Sequence, residues 1–253
     1  MINNFIQDIA RQAGKITLGF FGQSKIEYMK GHNLNFVTEA DIASNNYIVK
    51  AIRDTFPEDG IISEEQDDLN THSEFVWIID PLDGTLNFSR GIPTYCILIA
   101  RAQKGQVVLG VIYDPINDDM YFAESGKGAF VNGRRLTCSK VEKLEEGVGA
   151  FLSTFKPQSI EILSKLIKST PDQKVYLVNL FCAGMACAYV ASAKRDWIID
   201  LGGMLWDHAA PSIILKEVGY RVTNIDGREW NFNDKTILAA HPILHAKILS
   251  IIG

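Results

Sequence analysis

No apolar run in this chain approaches the roughly 20 residues of a membrane-spanning helix, which removes a helical membrane protein from the options. The stretch from residue 1 to residue 12 has an amphipathic pattern, unlike the short apolar core of a signal peptide, so the expected location is cytoplasmic. Cysteine is sparse. Cys96, Cys138, Cys182 and Cys187 show no C-x-x-C spacing, so they read as reduced structural thiols, with no zinc site expected. Basic residues are outnumbered, 25 Lys and Arg against 30 Asp and Glu, and the net charge of −5 argues against nucleic-acid and membrane-surface partners. No G-x-G-x-x-G follows an expected strand, which removes a dinucleotide-binding dehydrogenase. Repeats, low-complexity tracts and long linkers are also missing.

The composition that remains, 47% apolar and 22% charged, is that of an ordinary soluble globular chain with a large core, in one domain or two. Phe5, Ile6, Ile9, Ala13, Ile16 and Phe20 recur at helical spacing, which predicts a helix over residues 3–21. Residues 25–38 read as a hairpin turning at Gly31-His32-Asn33, and a second helix is predicted over 41–56. Strands follow at 60–63, 75–80, 95–102, 106–113, 119–123 and 128–131, mostly joined by short turns, which predicts an antiparallel sheet. After residue 145 the pattern alternates. Strands at 148–153, 175–179, 196–200 and 236–240 lead into helices at 157–168, 182–193, 206–218 and 242–252. The expected organisation is an α+β half, residues 1–145, packed closely on a more parallel α/β half, residues 146–253.

The run from Val76 to Phe88 carries the chemistry. Val76 to Ile79 read as a buried strand that delivers Asp80, and Pro81 is expected to end its ladder. Asp83 follows, and Gly84-Thr85 supplies a tight turn and a helix start. Two hard oxygen ligands beside free backbone N–H groups suit a Mg²⁺–phosphate site. With few basic residues near this acidic cluster, a phosphate substrate would need metal cations to neutralise it. A strand followed by a solvated acidic turn is the bland alternative.

The whole run resembles the D-P-x-D-G-[TS]-x-N-F signature of the inositol monophosphatases, the lithium-sensitive type of Mg²⁺-dependent phosphomonoesterase. Ser63-Glu64-Glu65 resembles that family's G-E-E, Val37-Thr38-Glu39-Ala40-Asp41 its V-T-x-x-D, and Trp206-Asp207-His208-Ala209-Ala210 its W-D-x-A-A. The resemblance implies a layered αβαβα sugar-phosphatase fold with its site between the halves, a homodimer, and hydrolysis of a small phosphorylated substrate, most readily inositol monophosphate. Fructose 1,6-bisphosphate, histidinol phosphate and 3′-phosphonucleotides are the rival substrates. From a different class comes a binding protein that regulates RNA-related machinery.

By the same resemblance, Glu64, Asp80 and the carbonyl of Leu82 hold one Mg²⁺, and Asp80, Asp83 and Asp207 a second. A third, weaker ion sits on Glu64 through waters. Thr85 and Glu64 orient the attacking water, Asp41 accepts a hydrogen bond from Thr85, and the N–H groups of Gly84 and Thr85 receive the phosphate. Helix N-caps are the plain alternatives for Asp41, Thr85 and Asp207, and a surface acid is that for Glu64. Lys30 reaches toward the phosphate or is a surface lysine, Glu65 is an accessory acid, and His208 is a weak acid–base candidate. The remaining histidines, His32, His72, His241 and His245, are expected in solvent.

The resemblance thins in the R-x-x-G-[ST]-A specificity segment. A gapless count back from Asp207 puts Val178 at the arginine, Phe181 at the glycine and Cys182 at the hydroxyl residue; Ala183 alone fits. Asp200 stands where inositol-specific members carry glutamate, and Pro211 replaces a usual glycine. Ala183, Asp200 and Asp207 are the expected substrate contacts, with Phe181 narrowing the alcohol side.

Overall fold

The computed structural model describes residues 2–23, 25–30 and 36–253. In chain order the elements are α1 (Ile2–Phe20), β1 (Ile26–Met29), β2 (Phe36–Thr38), α2 (Glu39–Thr55), β3 (Gly60–Ser63), β4 (Phe75–Asp83) and α3 (Thr85–Ser89). They continue with β5 (Cys96–Gln103), β6 (Gln106–Asp114), β7 (Asp119–Glu124), β8 (Gly128–Val131), β9 (Arg134–Arg135) and β10 (Val148–Leu152). The last group is α4 (Pro157–Ser169), β11 (Tyr176–Val178), α5 (Ala183–Ala191), β12 (Trp197–Asp200), α6 (Leu205–Val218), β13 (Arg221–Thr223), β14 (Ile237–Ala240) and α7 (Pro242–Ile252). β1 and β2 form the expected hairpin; its turn at Gly31-His32-Asn33 lies outside the described residues.

Alternation along the strands builds five layers. In β4, Trp77 and Ile79 face Ile6, Ile9, Ile48 and Ile52 of α1 and α2, while Ile78 faces the other way. That second face, with Leu98, Ala100 and Ile112, packs on α5 and α6. Beneath these two helices lies the inner face of a five-stranded sheet, through Ala150, Ile198 and Ala239. Its outer face, with Phe151, Trp197, Ile199 and Leu238, is covered by Ile162 and Leu166 of α4 and by Leu244 and Ile248 of α7. The small residues of α5 and α6 let them fit between two sheets. Gly110 of β6 is required there, since a Cβ would stand 2.5 Å from Ile213 and 2.9 Å from the Ala210 carbonyl.

Two sequence expectations need correction, the wholly antiparallel first sheet and the end of the β4 ladder, while the second half is the more parallel one as expected. The seven-stranded sheet, in the order β3-β4-β5-β6-β7-β8-β9, is antiparallel only from β4 onward; β3 and β4 run parallel. The eleven residues between them form a crossover, which the pattern of short turns did not reveal. In the five-stranded sheet, β10 pairs in parallel with β11 and β12, whereas β14 pairs antiparallel with β12 and β13. Pro81 does not end the β4 ladder. The register shifts between Asp80 and Asp83, and pairing resumes at Asp83 opposite Cys96, so proline makes a bulge.

Candidate metal centre

The parallel pairing and the bulge together build the site. Parallel register sets Ser63 beside Ile79, and the Glu64 N–H donates to the Ile79 carbonyl at 3.1 Å. Glu64 and Asp80 therefore emerge side by side at the carboxyl ends of adjacent strands. Residues three apart on a regular strand face opposite ways. The bulge at Pro81-Leu82 cancels that alternation, and Asp83 joins Asp80. The Ser44 hydroxyl holds the bulge by donating to the Pro81 carbonyl at 2.8 Å. α6, anchored on the inner face of the same sheet, brings Asp207 over it. One carboxylate oxygen from each of Asp80, Asp83 and Asp207 lies within 4.8 Å of the others.

None of these three carboxylates has a cationic side chain as a hydrogen-bond or ion-pair partner among the described residues. Burial and then the negative charges of Glu64, Asp83 and Asp207 raise the Asp80 carboxyl well above its ordinary range. Burial raises Asp83, against the lowering effect of donors from Gly184, Cys182 and Ala183. Burial, then Asp83, pushes Asp207 up to about 7. Three carboxylates brought together without a cationic partner of their own fit a divalent metal bound through oxygen. Lys30 stands at the rim, with Nζ 2.9 Å from Glu64 Oε1 and 2.8 Å from Glu65 Oε1. Glu65 is thus tied to Lys30, and burial, only partly offset by that lysine, raises it to about 7.

The supporting backbone donors were not visible in the sequence. The Gly184 N–H donates to Asp83 Oδ2 at 2.5 Å, and the Met204 N–H donates to Asp207 Oδ2 at 2.5 Å. Leu82 N–H donates to Asp80 Oδ1 at 3.0 Å. Asp41, Thr85 and Asp207 are not the N-cap residues of their helices. Thr38 caps α2 and Met204 caps α6, while Asp41 and Asp207 each sit at the third helical position and accept the cap residue's N–H. Gly84, in the left-handed region at φ 93°, caps α3, so Thr85 is its first residue. α3 has a single turn, and its dipole is correspondingly small.

Asp41 and Thr85 do meet. The Thr85 hydroxyl lies 3.2 Å from Asp41 Oδ1 and 3.2 Å from the Leu82 carbonyl. Asp41 Oδ2 also accepts from the Thr38 N–H at 2.8 Å. Burial raises Asp41 to about 6 in spite of these donors.

The specificity segment is arranged differently. Ala183 is the first residue of α5, beside Asp83. Phe181 is half exposed, with its backbone at φ 49°, where its N–H donates to Asn179 Oδ1 at 3.1 Å. Asp200 is buried, and both of its oxygens are engaged: Oδ2 lies 3.0 Å from His208 Nε2, and Oδ1 accepts the Gly202 N–H at 3.1 Å. Burial disfavours protonated His208, but Asp200 and then Asp207 outweigh it and raise the imidazole. The W-D-H sequence alone did not mark this pair, because Asp200 and His208 belong to different elements. His245 is also buried, bonded to Thr223 Oγ1 at 2.9 Å, against the expectation of exposure. His32 lies outside the described residues.

Comparison with known proteins agrees with this architecture. The inositol monophosphatase family profile matches residues 2–253. The fructose-1,6-bisphosphatase/inositol-1-monophosphatase of Thermotoga maritima is 32% identical over 251 residues, covering 99% of this chain and 95% of that protein. The Nus factor SuhB of Pasteurella multocida is also 32% identical over 251 residues, covering 95% of this chain and 91% of its own length. Among solved structures, the extragenic suppressor protein suhB from Bartonella henselae superposes with a TM-score of 0.91 at 29% identity, over 99% of this chain and 98% of that one. The chain belongs to the inositol monophosphatase family of phosphatases.

Proposed function

We propose that the chain hydrolyses a small phosphate monoester with Mg²⁺ held by Glu64, Asp80, Asp83, Asp207 and the Leu82 carbonyl, inositol monophosphate being the leading substrate. The observation that supports this reading is the convergence of three carboxylates, Asp80 and Asp83 buried and Asp207 partly buried, none with a cationic partner among the described residues. When bound, divalent cations supply charge neutralisation for the phosphate and acidify the attacking water. Thr85 and Glu64 orient that water. Asp41 keeps Thr85 in place through the 3.2 Å hydrogen bond. The N–H groups of Gly84 and Thr85 receive phosphate oxygens, and Lys30 adds positive charge at the rim. Ala183, Asp200 and Phe181 bear on the alcohol portion. Two or three ions per site, a homodimer and a cytoplasmic location follow from the family resemblance.

The shared sequence of the Nus factor SuhB relatives supports a second reading, that of a regulator of RNA-related machinery. The retained carboxylate set favours catalysis. Phosphate release is measured over a panel of inositol, sugar-bisphosphate, amino-alcohol and nucleotide phosphates, with and without Mg²⁺. Mg²⁺-dependent turnover with inositol monophosphate at the head of the panel is the expected result. A folded chain that binds Mg²⁺ and releases phosphate from none of the panel would leave the regulatory reading standing.

A further inference from the structure

Asp83 belongs to a second cluster of a different chemical kind. Cys96 begins β5, opposite Asp83 in the ladder, and Cys182 immediately precedes α5. The two sulfurs are 3.9 Å apart; the Cys182 sulfur is 3.2 Å and the Cys96 sulfur 3.6 Å from Asp83 Oδ2. All three side chains are buried, and neither thiol is in a disulfide. Around a tetrahedral zinc-type ion with metal–sulfur bonds of about 2.3 Å and metal–oxygen bonds of about 2.0 Å, adjacent ligand atoms lie roughly 3.5–3.8 Å apart. The observed triangle has nearly those edges.

The backbone leaves room for this cluster. A Cβ on Gly184 would stand 2.4 Å from the Cys96 sulfur and 3.1 Å from Asp83 Oδ2. One on Gly84 would stand 3.2 Å from the Cys182 sulfur. Two glycines therefore border the ligand triangle.

We propose that Asp83, Cys96 and Cys182 form a binding site for a thiophilic divalent cation of the zinc–cadmium class. The ion would share Asp83 with the oxygen-only cage of Asp80 and Asp207. Binding is an exchange without electron transfer: two S–H bonds break, two metal–sulfur bonds form, and two protons leave to solvent. The ion displaces the two thiol protons, so it binds more tightly as pH rises. Thiolates favour soft ions, whereas Mg²⁺ demands oxygen, so the two clusters differ in the metal they select. Occupation of the sulfur site draws on Asp83 and weakens the carboxylate cage.

The test is a Cd²⁺ titration of the whole chain in excess Mg²⁺, read by thiolate-to-metal absorption in the ultraviolet and by proton release. The expected result is one ion per chain, with two protons released per ion. Cys96→Ser, Cys96→Ala and Cys182→Ser should each weaken binding by roughly tenfold or more, and Cys138→Ser should not. Absence of a thiolate band in the wild-type chain, or release of fewer than two protons per ion, would overturn the proposal even if every variant misfolds. A band that persists undiminished in the folded Cys96 variants would do the same. These readouts need no turnover, so they stand or fall separately from the phosphatase reading.

Discussion

Two acidic groups lie at the ends of strands and helices in the core, and they differ in what neutralises them. Asp200, at the end of β12, has a histidine and a backbone N–H on its two oxygens. Asp80, Asp83 and Asp207 have backbone and thiol donors but no cationic partner, and each is raised by burial and its neighbours. An internally compensated charge contributes to the fold without a ligand. An uncompensated cluster costs folding energy until a cation enters. The second arrangement is the one that a metal-dependent site needs.

The largest test of this contrast is a pair of isosteric replacements. Asp83→Asn should reduce kcat/KM by more than about 100-fold, beyond the loss typical of an outer-shell partner, while the fold survives. Asp200→Asn should cost far less turnover. Similar losses in both, measured at saturating Mg²⁺ on proteins with native circular dichroism, would break the comparison.

Next in size is the hydroxyl that bridges Asp41 and the Leu82 carbonyl. Thr85→Ala should lower kcat by roughly 100-fold with KM within about a factor of two, since in the proposed mechanism the lost interaction serves the attacking water. Asp41→Asn should act in the same direction and more mildly. A change confined to KM would assign Thr85 to substrate binding instead.

The charge contrast also has a signature in stability. Asp207 titrates at about 7 and Asp41 at about 6 in the folded chain, above the ordinary carboxyl range near 4. The folded state thus holds these protons more tightly than the unfolded state. Their contribution is complete below about pH 4 and is lost as pH rises through 6 to 7. Melting temperature without metal should fall between pH 5 and pH 8, on the order of 5 °C, and saturating Mg²⁺ should flatten the slope. A metal-free melting temperature that rises over that interval would contradict the uncompensated cluster.

The smallest effects concern the alcohol side. Phe181 occupies the left-handed region, so Phe181→Gly should change stability by roughly 0–1 kcal/mol in the favourable direction, after the entropy of the unfolded glycine is counted. Combined with Asp200→Glu, it should raise the preference for inositol phosphates over other monoesters by about 1–3 kcal/mol in relative kcat/KM. A common shift for all substrates would show that these two residues do not set specificity.

Much of the fold was legible because its signals are local. Residues 60–63 and 128–131 and the helix 242–252 are bounded as the apolar pattern and turn residues predict. The two-residue β9 and three-residue β13 were missed, being too short for any period to register. The hidden features all depend on partners distant in the chain. The parallel pairing of β3 with β4 is a property of a crossover, and the Asp200–His208 pair joins a strand to a helix.

The sequence by itself supplied the candidates and the layering: the D-P-L-D-G-T run, the acids at 64 and 207, and the alternation that separates core from surface. Those are matters of residue type and short spacing, and they survive without coordinates. Tertiary structure alone decided the facing directions and the company each acid keeps. The Pro81 bulge turned Asp80 and Asp83 to one side, and α6 carried Asp207 across the sheet. Folding also brought two cysteines 86 positions apart to 3.9 Å, where spacing rules see nothing. The physical reason is that burial and charge compensation are properties of the space around an atom, and distant segments fill that space only when the core closes.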